Sequence, residues 1–135
     1  PLVLTELGLK ATLEDLLNHW SSRNPELQLS LHCPDAVDSL EQKITIQIFR
    51  IVQECVTNIV RHAQASRASI NLELVSGKLL QLQISDNGRG CERETLKTGF
   101  GVLGMRERIN SLGGTLMIQT QPGQGLSINA SIPLK

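Results

Sequence analysis

Aromatic side chains are nearly missing from this 135-residue chain, which has one Trp, two Phe and no Tyr. A chain of this length can bury one real hydrophobic core, so that core must be built from Leu, Ile and Val. An excess of charge is missing too, because 13 basic and 13 acidic residues cancel. No basic field is offered to a duplex, which argues against nucleic acid as a partner. Cys33, Cys55 and Cys91 are odd in number and lack metal-type spacing, so they read as free thiols in a reducing compartment. No apolar run approaches membrane-spanning length, and no signal peptide is visible. The chain begins abruptly at Pro1-Leu2-Val3-Leu4, which leaves a longer, membrane-anchored parent open. Internal repeats, low-complexity tracts and long linkers are also lacking, and residues 1–135 read as one domain.

What is present is a run of periodic segments. Leu13, Leu16, Leu17 and Trp20 share one face of a helix over residues 9–22, ended by Asn24-Pro25. Leu27, Leu29 and Leu31 alternate with polar residues as a half-buried strand. Ser39 and Gln42 have the spacing of a capping box, opening a long helix over residues 40–62. Its apolar stripe is Ile44, Ile48, Ile51, Val52, Cys55 and Ile59. Ala68 to Leu74 and Leu80 to Ile84 alternate as two strands around a Ser76-Gly77-Lys78 turn. A glycine-rich polar stretch covers residues 86–101. A short helix follows over residues 102–112, stopped by Gly113-Gly114. Leu116 and Ile118 mark a strand, residues 121–125 a turn, and residues 127–133 a last strand. This order predicts an α+β fold: a two-layer sandwich with a mixed, mostly antiparallel sheet and helices on one face.

Three segments carry candidate chemistry. At about 100° per residue, Glu54, Asn58 and Arg61 fall on one strip beside the apolar stripe of the long helix. A carboxylate and an amide one turn apart offer hard oxygen donors to Mg²⁺, and an arginine one turn further can reach a phosphate. Asp86-Asn87-Gly88-Arg89-Gly90 follows a strand. It reads as a solvent turn, or as a carboxylate held at a strand end to accept from an exocyclic amine such as adenine's. In the second reading the glycines let backbone approach a flat base. Gly99-Phe100-Gly101-Val102-Leu103-Gly104 matches a dinucleotide fingerprint, but it follows a polar loop and no acidic residue lies downstream of Glu107. It reads better as a glycine loop feeding a helix N-terminus, whose free amides attract phosphate oxygens. The Walker A pattern is absent.

In order, Gln53-Glu54-x-x-x-Asn58-x-x-Arg61-His62, Asp86-x-Gly88-x-Gly90 and Gly99-x-Gly101-x-x-Gly104-Met105-Arg106-Glu107-Arg108 resemble the nucleotide-binding domain shared by DNA gyrase, Hsp90, MutL and histidine kinases. The Gly-Met-Arg-Glu-Arg run and the Pro1-Leu2-Val3-Leu4…Leu7-Gly8-Leu9 segment resemble sensor kinases of the nitrate- and sugar-phosphate-sensing type. The resemblance covers nearly the whole chain. It implies a Bergerat-type fold that binds ATP with Mg²⁺ on Asn58, with or without Glu54. Glu54 stands where the ATPase relatives keep their general base. Arg61 and His62 would lie near phosphates or ribose. Asp86 would read the adenine amine, with Gly88 and Gly90 shaping the base pocket. Gly99, Gly101 and Gly104, with Val102, Met105 and Arg106 or Arg108, would form a lid over the phosphates.

The resemblance further implies a cytoplasmic domain of a parent anchored in the bacterial inner membrane. Its partners would be its own dimerisation helices, which carry the phosphorylated histidine, and a response regulator. The isolated domain would be monomeric. His19, His32 and His62 lack the His-Asp/Glu context of a phosphoacceptor, so the fragment would not phosphorylate itself. One position departs from the family pattern: Leu126 follows Gly125 where a threonine hydroxyl usually supports the adenine-binding aspartate. A nucleotide-binding docking module and an anti-sigma-type serine kinase share the fold and stay open as alternatives. Phosphate appearing on histidine separates the kinase from both.

Overall fold

The computed structural model describes residues 2–92, 99 and 101–134. In chain order the elements are α1 (Leu2–Arg23), β1 (Gln28–His32), a 3₁₀ turn (Asp35–Ser39), α2 (Gln42–Asn58) with a π-helical turn (Ile59–Ala63), β2 (Arg67–Val75), β3 (Leu79–Asp86), α3 (Val102–Ser111), β4 (Thr115–Thr120) and β5 (Leu126–Pro133). The five strands form one sheet in the order β1-β2-β3-β5-β4. β1 and β2 are parallel, and every other pair is antiparallel. A parallel pair needs a crossover, and α2 supplies it.

The hydrophobic pattern fixes which face is covered. Ile70, Ile84, Ile128 and Ile118 stand in register across four strands, and Leu72, Leu82, Ala130 and Leu116 form the next row. Against this face α1 packs Leu9, Leu13 and Leu17, and α2 packs Ile48, Ile51, Val52 and Val56. The opposite face carries Ser69, Asn71, Gln81, Gln83, Ser85, Ser127 and Asn129, polar side chains that need no cover. The predicted α+β sandwich with a mixed sheet is therefore the observed fold. One further row continues past the isoleucines: Ala68, Asp86, Leu126 and Thr120. Side chains two residues apart on a strand share a face. Asp86 thus emerges on the helix-covered side, at the end of the core.

Two local expectations are corrected. Ser39 does not cap α2: it lies in the 3₁₀ turn, Leu40 is extended (φ −71°, ψ 156°), and Glu41 holds the N-cap position without a side-chain bond. Gln42 instead donates to the Thr5 hydroxyl at 3.1 Å, so the capping-box partner is spent on the N-terminal segment. The first helix also begins earlier than its leucine pattern indicates. Residues 2–7 are helical, and the chain breaks at Gly8 (φ 86°, ψ 168°) before continuing to Arg23.

Candidate nucleotide site

Beyond the Asp86 row, the sheet, α2 and α3 leave a cavity of about 440 Å³, within the usual range for a small-molecule site. Asn58 and His62 reach it from the end of α2 and its π-helical turn, Asp86 from the end of β3, Gly90 from the loop that follows, and Val102 and Met105 from α3. Ile59, Ile84, Ile118, Leu126 and Ile128 supply apolar walls, and Arg89, Cys91 and Pro122 complete the rim. Asn58 and His62 are four residues apart, the spacing that puts two side chains on one helix face. The π-helical turn widens the repeat toward i→i+5 and carries Arg61 away from that strip. Arg61 is exposed and lines no described cavity.

Asp86 is held by backbone. The Gly88 amide donates to its Oδ1 at 2.8 Å, and the Leu126 amide also hydrogen-bonds the carboxylate. Burial pushes the carboxyl above the ordinary carboxylate range, and these two amides pull against that. With leucine at position 126, main-chain amides are the donors to this carboxylate. The Leu126 side chain faces the cavity as apolar wall instead.

The loop after Asp86 is tied to two neighbouring segments. Asn87 Oδ1 accepts the amides of Ser66 and Arg67, both at 2.9 Å, and its Nδ2 donates to the Ser66 hydroxyl at 2.8 Å. Arg89 donates its amide to the Ala63 carbonyl and its Nε to the His62 carbonyl, each at 2.8 Å. The Thr120 hydroxyl accepts the Cys91 amide at 3.1 Å and donates to the Gly125 carbonyl at 2.7 Å. A Cβ on Gly88 would lie 2.2 Å from the Ala63 carbonyl oxygen, and one on Gly90 (φ +61°) 2.2 Å from that of Gln121. The tight approach required of these glycines is therefore to neighbouring backbone, where the sequence suggested a bound base.

The remaining predicted residues gather elsewhere. Glu54, Gly101 and Gly104 line an adjoining cleft of about 390 Å³ between α2 and α3, with Arg50 and Arg108, and Met105 borders both spaces. Glu54 packs against Gly101, where an added Cβ would meet its Oε1 at 2.5 Å. The Arg108 guanidinium donates to Gln47 Oε1 at 2.9 Å. Arg106 is exposed and donates to the Leu116 carbonyl on edge strand β4 at 3.2 Å, away from the cavity. Gly99 accepts only a long bond from the Val102 amide among the described residues, at 3.5 Å. Residues 93–98 and 100, part of the expected lid, lie outside the described residues. Cys55 is fully enclosed on the cavity floor, 3.5 Å from the Met105 sulfur. Burial pushes its thiol up to about 12, which keeps it neutral.

Sequence reasoning missed Arg89, Thr120 and Pro122. Arg89 sits inside a motif read for its glycines. Thr120 becomes visible only once the strand register puts it in the Asp86 row.

Residues 43–135 match the family described as "Histidine kinase-, DNA gyrase B-, and HSP90-like ATPase". The chain belongs to this family, as a catalytic ATP-binding domain of the sensor histidine kinase type. It is 34% identical over 134 residues to the signal transduction histidine-protein kinase/phosphatase DegS of Brevibacillus brevis, covering 98% of this chain and 34% of that protein. It is 34% identical over 131 residues to the signal transduction histidine-protein kinase/phosphatase UhpB of Salmonella typhimurium, covering 96% of this chain and 26% of that protein. The chain thus spans about a third or less of the length of these relatives. In fold it is similar to the histidine kinase domain of the Erythrobacter litoralis EL346 blue-light activated histidine kinase. The TM-score is 0.78 at 24% identity, over 95% of this chain and 60% of that one.

Proposed function

We propose that this domain binds Mg-ATP in the cavity beside Asp86 and donates the γ-phosphoryl group to a histidine on separate dimerisation helices of its parent. From that histidine the group would pass to a response regulator. The observation that carries this reading is Asp86 itself: a half-buried carboxylate, fixed by the Gly88 and Leu126 amides, at the end of an apolar cavity sized for a base. Such a carboxylate accepts from an exocyclic amine, while Leu126, Ile84 and Ile128 enclose the ring.

Phosphates would extend toward α3. There Asn58 and, one helical turn earlier, Glu54 offer an amide oxygen and a carboxylate. This donor set fits Mg²⁺, which favours oxygen ligands and is commonly held by one or two protein groups plus nucleotide phosphates. When bound, the ion would neutralise charge on the transferring phosphoryl group. The chain's own residues do the positioning that phosphoryl transfer mainly needs. Asp86 would fix the base, Asn58 and His62 would line the space beside it, and the start of α3 would offer amides to the phosphates. Glu54, beside Gly101, is the carboxylate at that end and the candidate for handling a proton. Among the described residues no helix is long and apolar enough to cross a membrane. Anchorage in the inner membrane would therefore belong to other parts of the parent.

Two measurements test the reading. Mg-ATP should raise the melting temperature, and Asn58→Ala or Asp86→Ala should abolish the rise. Incubation with ATP and the separate dimerisation helices should place phosphate on histidine. Phosphate on serine, or free phosphate alone, would replace the kinase reading with one of its relatives.

A further inference from the structure

The most heavily tied structure outside the nucleotide cavity joins the N-terminal helix to the start of α2. Gly8 breaks α1 with φ 86°, a conformation that L side chains rarely adopt. The helix restarting at Leu9 therefore has glycine at its N-cap position, with no side chain to satisfy its first amides. Asp38, in the 3₁₀ turn just before α2, fills that role from outside. Its Oδ1 accepts the Lys10 amide at 3.0 Å, and its carboxyl carbon lies 2.7 Å from where a Gly8 Cβ would stand. The same turn is fastened by Asp35, which binds Lys10 Nζ at 2.6 Å, and by Val37, which is fully buried. On the other side of the break, Leu4 is buried in the core and Thr5 meets Gln42 at the first residue of α2. Both halves of α1 are thus registered on the head of the helix that carries Glu54, Asn58 and His62.

We infer that Asp38 is a positioning residue for phosphotransfer: by capping α1 across the Gly8 break, it sets the angle between the N-terminal helix and α2. It touches neither cavity, so it acts through the junction of α1 with α2. The consequence rests on the phosphotransfer reading above. Where the domain is joined to its acceptor helices through residues 2–7, this angle decides how the phosphate end faces the acceptor histidine. The carboxylate suits the task, since it also complements the positive end of the helix dipole.

The test compares acceptor histidines supplied in cis and in trans. In the full-length kinase, Asp38→Ala should slow histidine phosphorylation about fivefold, the typical worth of an N-cap, with KM for ATP unchanged. Asp38→Asn keeps an oxygen for the Lys10 amide and should recover most of the rate. With the acceptor helices supplied as a separate fragment, wild type and Asp38→Ala should react equally, because the connecting angle no longer matters. Hydrogen exchange at the Lys10 amide should rise in Asp38→Ala and return toward wild type in Asp38→Asn. A full-length Asp38→Ala kinase at the wild-type rate would overturn the inference. Equal losses in cis and in trans, or a lost Mg-ATP melting shift, would reduce Asp38 to a general structural residue and overturn it too. A wild-type protein that forms no phosphohistidine in either format, yet shows the Mg-ATP shift, would remove the phosphotransfer reading and this inference with it.

Discussion

The two ends of the proposed nucleotide cavity, a base end at Asp86 and a phosphate end at α3, are built by different means. The base end is a dense web in which nearly every bond has a main-chain partner: Asp86 on the Gly88 and Leu126 amides, Asn87 on the Ser66 and Arg67 amides, Arg89 on Ala63, and Gly123 donating to the Arg89 carbonyl. The α3 end is held to its surroundings largely by side chains, with Met105 on Cys55, Arg108 on Gln47 and Arg106 on Leu116. Backbone pairing fixes a shape without a ligand, whereas long side chains can exchange partners at small cost. The base end is therefore preorganised. The phosphate end is free to adjust around whatever enters, as closing elements in enzymes commonly do.

The contrast predicts a steep difference in mutational cost. Gly88→Ala should be the most damaging change, because its methyl would meet the backbone of Ala63 rather than a flexible side chain. A loss of about 2–4 kcal/mol in urea denaturation is expected, a large part of a small domain's stability. A loss under about 0.5 kcal/mol would show the base end to be as adaptable as the other.

Asp86→Asn should separate binding from stability. Burial raises the Asp86 carboxyl in the folded state. Between the ordinary carboxylate value and that raised one, the folded protein holds the proton that the unfolded chain has lost. Stability contributed by this group is thus complete at low pH and declines as pH rises through the window. Asp86→Asn should remove that decline, melting no lower than wild type at neutral pH while losing its response to Mg-ATP. The gap between the two proteins should close below the ordinary carboxylate range, which melting curves across pH would show.

Arg106→Ala should have the smallest effect. Its guanidinium faces a β4 carbonyl, so stability should change by no more than about 0.5 kcal/mol and ATP affinity by no more than about twofold. A tenfold weaker ATP affinity by calorimetry would mean that Arg106 swings to the phosphates on binding.

The fold was legible because its signals are periodic. Ile44 to Ile59 on α2 and the alternating leucines and isoleucines of β2 and β3 each name a face without help from the rest of the chain. The site was legible in part. Asp86, Asn58 and His62 converge on one cavity, but the strip through Arg61 assumed a regular helix that the π-helical turn interrupts. The role of Gly88 and Gly90 depends on where Ala63 and Gln121 run, and no local pattern reports that. Ser39 and Gln42 had capping-box spacing, yet the 3₁₀ turn and Thr5 claimed them. Asp38 as a cap for Lys10 spans 28 residues, beyond any sequence window.

Asn87 followed by Gly88 has a consequence for how the protein ages. An Asn-Gly step ordinarily loses its side-chain amide when the following backbone nitrogen attacks the side-chain carbonyl. Here that nitrogen donates to Asp86, and the carbonyl oxygen is engaged by Ser66 and Arg67. Cyclisation to the succinimide requires the Gly88 nitrogen to be released and the Asn87 side chain to turn toward it, which its bonds to Ser66 and Arg67 oppose. The folded domain is therefore shielded at its most chemically fragile bond, and conversion of Asn87 to aspartate becomes a slow record of how often the base end has opened.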